Sequence, residues 1–489
     1  MTQQVDGSGN TLGFTYVNEN DEVERYDVTG KLLSITNHAG LTQTLQYAID
    51  PHTSLGILIG VTDAFGRQLR LTYDAQKRLS AITDPNGGSY TYTYDGKGNL
   101  STVTYPDNRT RQYVYENTAY LNALTGIIDE NGLRFATWSY DSQGNAISSE
   151  HAVGVEKVTL TYPTAANTIA TDAGGATRTY ATQVINGIAK AGSINEVCGV
   201  NCNRSLLMNY DANGNVTSRT DYNGAVTTYS YDLIRDLETS RVEASGTAQA
   251  RTITTAWHAT YRLPLQIAEP KLLTTYTYDA SGNLLSKTVQ ATSDAAGAQG
   301  LSPTLVGTAR TWSYTYNTVG QVLTATGPRT DVADTTTYTY DTSGNLSTIT
   351  NAVGQVTTLS NYDANGRVGL ITDTNGTTTA LTYSPRGWLT GKTVTANGTV
   401  QTTSYSYDGV GQLTQVVLPD ASTVNYTYDP AHRLTNIADS LGNNIAYTLD
   451  NMGNRISEQV KDPSGALARQ TSRVVDALNR LQQITGAVQ

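Results

Sequence analysis

A Tyr-Asp dipeptide returns every 21 residues along much of this chain, and that period constrains the fold more than any other feature. The pair stands at Tyr73-Asp74 and Tyr94-Asp95, at Tyr210-Asp211 and Tyr231-Asp232, and at Tyr407-Asp408 and Tyr428-Asp429, 21 residues apart each time. Further copies are Tyr26-Asp27, Tyr140-Asp141, Tyr278-Asp279, Tyr340-Asp341 and Tyr362-Asp363. Degenerate copies sit at Tyr115-Glu116, Trp257-His258, Tyr316-Asn317, Tyr383-Ser384, Leu449-Asp450 and Val475-Asp476. A fixed period of this size marks a repeat architecture. Longer gaps read as irregular insertions, near 181–207, 240–252 and 290–310.

One unit shows how the letters specify structure. Asp341 to Asn345 is turn chemistry: Asp bonds the backbone ahead of it and Gly supplies a positive φ. Leu346 to Thr350 is a short strand, Asn351 to Gly354 a second turn, and Gln355 to Tyr362 a second strand rich in Val and Thr. Strand, turn, strand, turn is an antiparallel meander. The tyrosines come as Tyr-x-Tyr, as at Tyr92 and Tyr94, Tyr338 and Tyr340, and Tyr426 and Tyr428. Residues i and i+2 of a strand share a face, so the rings should form ladders. Leu346 and Ile349 are three apart, which in a straight strand puts them on opposite faces; a bulge or partial cover of both faces would reconcile this.

Roughly 20 such units give about 40 strands, spaced about 4.8 Å apart. A twisted open sheet rarely exceeds about 10 strands without curling, so one meander this long must coil upon itself. Composition agrees with an all-β chain. Tyr is counted 32 times against 3 Phe and 4 Trp, and charged residues are only 15%. A coiled coil and a helical solenoid are excluded by the scarcity of helix formers. A net charge of −10 argues against a nucleic-acid partner, which binds through its phosphates. The most apolar stretch, 55–61, is far shorter than the roughly 20 residues of a membrane span.

The frame Tyr-Asp-x-x-Gly-Asn/Arg-Leu-x-x-Ile-Thr-Asp/Asn-x-x-Gly resembles the YD repeat of the Rhs family. Tyr362 to Gly376 and Tyr94 to Thr104 carry it, and the resemblance runs from Val5-Asp6 to the end of the chain. Members include bacterial Rhs proteins, the C components of insecticidal toxin complexes, and teneurins. The resemblance implies a β-sheet that spirals into a hollow shell, which in the bacterial branches holds a C-terminal toxin segment. It also implies an exported or surface-located parent protein, though Met1-Thr-Gln-Gln-Val-Asp carries no secretory address. Residues 1–489 are therefore expected to be one shell fragment, without a toxin or delivery domain of its own.

No catalytic, cofactor or metal residue is expected. Cys198 and Cys202 are spaced as a metal pair could be, but a zinc site needs two more ligands and no His lies near in sequence. They read as a local disulfide or two thiols. Asp211 to Asn215 opens like a calcium loop, yet its Gly is fourth rather than sixth and Tyr222 stands where a bidentate Glu belongs. His38, His52, His151, His258 and His432 are scattered, and no nucleophile or phosphate-loop motif accompanies them. Asp462-Pro463-Ser464-Gly465 resembles the motif that ends Rhs shells, but Ala466 interrupts it, and it reads as a hairpin loop.

The expected function is non-enzymatic: part of a shell that sequesters a toxin in bacterial competition, with the toxin segment as partner and a secretion apparatus beside it. The alternative is a surface module that stacks Tyr rings on carbohydrate. Both ends fall inside the repeat, which predicts open edge strands; Gln482 to Gln489 has no charge or Pro to keep such an edge from pairing.

Overall fold

A computed structural model describes residues 1–49, 56–195, 205–476 and 478–488. His52, Cys198 and Cys202 lie outside the described residues. Among those described there are 42 strands, and the sole helical element is the 3-10 turn Ala152–Gly154. The fold is all-β. The strands belong to one unclosed sheet in which consecutive strands pair antiparallel.

The hairpin of Thr335–Tyr340 and Leu346–Thr350 shows why the repeat has its letters. Tyr340 pairs with Leu346, then the register shifts, and Thr339, Tyr338 and Thr337 pair with Thr348, Ile349 and Thr350. Ser347 is the extra residue of a β-bulge. The bulge turns Leu346 and Ile349 to one face, the face of Tyr338 and Tyr340. The same shift recurs at Tyr73, Tyr278, Tyr407 and Tyr428.

The turn is held by its aspartate. Asp341 Oδ1 accepts the backbone N–H of Ser343 (2.9 Å) and Asn345 (2.8 Å), and its Oδ2 accepts the Asn345 amide (3.0 Å). Where Arg replaces Asn, as in Arg367 and Arg433, its Nε donates to the same Oδ2. These bonds favour the ionised carboxylate. The Asn145 amide beside Asp141 and the Asn443 amide beside Asp439 hold both carboxyls below the ordinary value.

The tyrosine that opens each turn lies back over the previous hairpin. Tyr340 donates its hydroxyl to Val322 O (2.9 Å), Tyr362 to Leu346 O (2.6 Å), Tyr407 to Leu389 O (2.8 Å) and Tyr428 to Leu413 O (2.9 Å). Tyr73 and Tyr278 do the same to Leu58 O and Pro264 O. A ring covers the bulge while its polar end finds an acceptor, which Phe cannot do. This accounts for Tyr rather than Phe at the positions that open these turns.

The sheet buries little. The buried apolar residues are few and small, among them Ala136, Ala176, Val155 and Ile253. The accessible surface is 27069 Å², where a compact monomer of this mass would expose about 17,600 Å². Most strand residues are half-buried on both faces, as in Leu346–Thr350. The chain divides into two compact units. One comprises 1–87, 209–220 and 225–377; the other comprises 88–208, 221–224 and 378–489.

Candidate functional site

A meander has two edges of turns, and here they are chemically distinct. One edge carries the turns that follow Tyr, such as 341–345 and 429–433; these are called YD turns below. The other carries the second turns, such as 63–67 and 129–133. Within each unit the ribbon returns to itself, and the turns that meet come from opposite edges.

In the first unit the second turns of the early ribbon dock on YD turns of the later one. Asp21 Oδ2 accepts the N–H of Arg262, 241 residues on (2.6 Å). His38 Nδ1 bonds Ser281 O (2.7 Å). Asn365 donates to Asp84 Oδ2 (3.1 Å) and accepts the N–H of Asn86 (3.2 Å), across 281 and 279 residues. Side chains of second turns also sit over YD-turn glycines. A Cβ added at Gly344 would overlap the Phe65 ring, and one at Gly320 would overlap Ala39. These glycines have φ of +76° and +77°, so the residue is needed twice over, for its conformation and for the space above it. The undocked YD-turn glycine Gly30 has nothing within 4 Å.

The second unit repeats the arrangement with buried charge. The Glu130 side chain is 0% exposed and lies between two guanidinium groups, 3.2 Å from Arg111 and 3.2 Å from Arg386. Arg386 stacks over Tyr105 (3.9 Å) and Trp388 (4.5 Å) and donates to Gly409 O (2.6 Å). Asp129, also 0% exposed at its side chain, meets His432 Nε2 at 2.7 Å. Phe135 stacks on His432 with centroids 4.1 Å apart. Asn131 donates to Asp408 and accepts the N–H of Gly409 (2.8 Å). Farther along, Asn451 O accepts the N–H of Glu156 (2.7 Å). Both buried carboxylates are paired, the condition under which burying such charges is tolerable, although Arg111 Nε is buried without a hydrogen-bond partner among the described residues.

A cleft of about 880 Å³ lies in the first unit, lined among others by Phe65, Arg70, Asp84, Asp341, Leu359 and Tyr362. Its carboxylates are engaged already: Asp341 holds its own turn and Asp84 takes the Asn365 amide. It is the crevice left where the docked turns meet.

The residues singled out from sequence fall as follows. Asp211 accepts the N–H of Asn213 and of Asn215 and the Asn215 amide, which makes it a turn residue. Asp462 holds Ser464 and Ala466 in the turn between two strands. His258 Nδ1 lies 3.1 Å from the N–H groups of Thr260 and Tyr261, and His151 pairs with Glu156 (3.0 Å). His38 and His432 are docking residues, a role that sequence reasoning missed. Among the described residues no group of three or more His, Cys, Asp or Glu is placed to hold a metal ion, and no helix is long and apolar enough to cross a membrane.

Comparison with known proteins follows the same lines. The family model described as teneurin YD-shell matches residues 302–459. That described as RHS repeat matches 54–89, 73–110 and 210–248. No curated protein matches the sequence. Among solved structures, the chain is similar to a crystallised TcdB2-TccC3-Cdc42 assembly at TM-score 0.64 and 16% identity, covering 97% of this chain and 28% of that one. A TcdB2-TccC3 structure without its hypervariable C-terminal region gives TM-score 0.64 and 16% identity, over 94% of this chain and 26% of that one. The Tc holotoxin pore of Photorhabdus luminescens gives 0.61 and 16%, over 97% and 27%. At this identity the likeness is one of fold, and this chain spans little more than a quarter of the length of those it matches.

Proposed function

We propose that this chain, a YD-repeat protein of the Rhs type, is a structural wall: a ribbon that coils upon itself to enclose a polypeptide and keep it from its surroundings. The coarse part, a structural YD-repeat protein with the fold of toxin-complex shells, rests on the matches above. The enclosed cargo is the finer reading. On the family resemblance it would be a toxic C-terminal segment, delivered by an apparatus outside this chain. The domain reading goes with it: all of 1–489 acts as wall, without toxin or delivery domain.

The observation that carries this is the polarity of edge docking. In both units a second turn meets a YD turn 241 to 303 residues later. Docking of one edge on the other lets a ribbon wind coil upon coil, closing a wall sideways while leaving both sheet faces uncovered. The low burial of the strands supports the same reading, because a solid core would hide one face. The wall needs no chemistry, and the titratable groups at the docking turns are spent on each other. The Tyr rows favour this over carbohydrate binding, since their hydroxyls are donated to backbone carbonyls of the neighbouring hairpin.

Small-angle scattering tests the wall. A compact chain of this length has a radius of gyration of about 23 Å; a wall around an empty interior gives a clearly larger value and a hollow pair-distance profile. A value near 23 Å would overturn the reading. For the cargo, limited proteolysis of the chain expressed in frame with the segment it would enclose should spare that segment. Equal cleavage with and without the wall would refute enclosure.

A further inference from the structure

The tyrosine face changes its chemistry in the last hairpins of the second unit. Leu449 stands at the turn-opening position from which Tyr428 reaches back to Leu413 O (2.9 Å). Across the bulge Leu449 pairs with Arg455, and Tyr447 pairs with Glu458. In the hairpin of Tyr340 those two partners are Leu346 and Ile349. On the next strand Thr471 pairs with Glu458, so Arg473, two residues on, shares that face. Arg473 precedes Val475-Asp476 by two and takes the place of the first ring of a Tyr-x-Tyr pair. A short Leu replaces one ring, and arginines replace a Leu and a second ring. A cleft of about 600 Å³ lies there, lined among others by Arg433, Arg455, Arg473, Leu434, Leu449 and Glu156.

The charges around this cleft do not balance. Arg433 is matched by Asp429 (2.7 Å). Arg455, Arg469 and Arg473 share one carboxylate, Glu458, at 3.2, 2.7 and 3.9 Å. The last distance is too long for a hydrogen bond. Arg473 Nη1 is buried and has no hydrogen-bond partner among the described residues. The lining carboxylate, Glu156, is paired with His151 (3.0 Å). Three guanidinium groups against one carboxylate leave a local positive excess in a chain whose net charge is −10. Two of the lining arginines are fixed in place beforehand: Arg433 donates to Asp450 O (2.6 Å), and Arg455 lies 3.7 Å from the centre of the Tyr447 ring.

We propose that this cleft binds a phosphate group, free or carried as a monoester on a small organic molecule. Guanidinium forks match phosphate oxygens, and a monoester offers three acceptor oxygens to three arginines. A carboxylate offers two oxygens and one charge, and would leave Arg473 as it stands. Leu434 and Leu449 give the organic part of a monoester an apolar wall. The site needs no cargo and no second chain, so it goes beyond the wall reading and stands whether or not anything is enclosed.

Isothermal titration calorimetry of the whole chain with inorganic phosphate and with phenyl phosphate tests it. Both should bind, more weakly as salt rises. Tighter binding of phenyl phosphate assigns the monoester and equal affinity the free ion; either result upholds the phosphate site. Acetate should bind at least about tenfold more weakly than phosphate, and Arg473→Gln and Arg455→Gln should each weaken phosphate binding by about tenfold or more, the scale of a lost charged hydrogen bond. Arg329→Gln, at an exposed ion pair of the first unit, should leave it unchanged. Arg473→Lys keeps the charge without the fork and should fall between, which serves if the Gln variant loses its strands by circular dichroism. The proposal is overturned if neither phosphate binds, if acetate binds as tightly, if affinity survives Arg473→Gln, or if Arg329→Gln lowers it as much.

Discussion

The turns at 129–133 and 439–443 have the same local structure and opposite surroundings. Asp129 accepts the N–H of Asn131 (3.0 Å) and Leu133 (2.9 Å); Asp439 accepts those of Leu441 (3.0 Å) and Asn443 (2.9 Å). They diverge at the second carboxylate oxygen. In Asp439 it is taken by the Asn443 amide (2.8 Å), inside the turn. In Asp129 the fifth residue is Leu133, and the oxygen is left for His432, 303 residues away (2.7 Å). One turn spends all its hydrogen bonds on itself and stays at the surface. The other keeps one back, and a later coil completes it. At these two turns the letter in the fifth position decides whether that oxygen is bonded within the turn or by a later coil.

The comparison predicts its largest effect at the buried charges. Arg386→Ala strips Glu130 of one guanidinium in a site closed to water. It should lower stability by about 3–5 kcal/mol in urea unfolding, as broken buried pairs do. Asp439→Ala, at the exposed turn, should lower it by clearly less, because water replaces the lost bonds there. Equal losses would show that docking contributes nothing to stability.

The glycines sharpen the same contrast. Gly30→Ala and Gly344→Ala both force a side chain into left-handed backbone, at about 1–2 kcal/mol. Only at Gly344 does the added carbon also meet the Phe65 ring. Gly344→Ala should therefore be the worse by about 1–3 kcal/mol, the cost of overpacking. Phe65→Ala in the same chain should recover part of that difference.

Smaller effects belong to bonds that every repeat shares. Tyr340→Phe removes the hydroxyl donated to Val322 O and leaves that carbonyl without it, for about 1 kcal/mol. Tyr338→Phe, with no such bond among the described contacts, should be neutral within about 0.5 kcal/mol. Burial pushes Tyr278 up to about 12. A phenol whose folded value is raised stabilises the fold fully below its unfolded value near 10, and that contribution is lost as pH climbs from there through about 12. The turn carboxyls run the other way. Asp141 and Asp439 are held below their ordinary value, so their contribution is present above about pH 4 and is lost as pH falls below it. Thermal unfolding followed by circular dichroism should show both limits, the acid one at docked and exposed turns alike. An acid limit confined to docked turns would refute the shared-turn account.

Much of this was legible in the order of residues because it is local. Asp, Gly and Asn or Arg of the YD turn act on each other within five residues, so the turn, the hairpin and the all-β meander follow from the repeat alone. The three-residue spacing of Leu346 and Ile349 already required either a bulge or cover on both faces. It took the pairing of Tyr340 with Leu346 and Thr339 with Thr348 to show the bulge. The Tyr excess was visible as a pattern, but the reason for Tyr at turn-opening positions such as 340 and 428 was not, since the hydroxyl there finds its acceptor on the hairpin before. His38 and His432 looked like strays because their partners lie 243 and 303 residues off.

What the order of residues determined by itself is the ribbon: its strand period, its two kinds of turn, and the face that carries tyrosine. Tertiary structure decided which turns meet. A turn bond closes a loop of a few residues and forms wherever its letters occur. A docking contact closes a loop of more than two hundred residues, and its partner depends on how far insertions and bulges have carried the ribbon around. No local rule contains that distance, so the same Asp-x-x-Gly letters stand at the surface at 439–442 and bury Asp129 and Glu130 against a neighbour at 129–132.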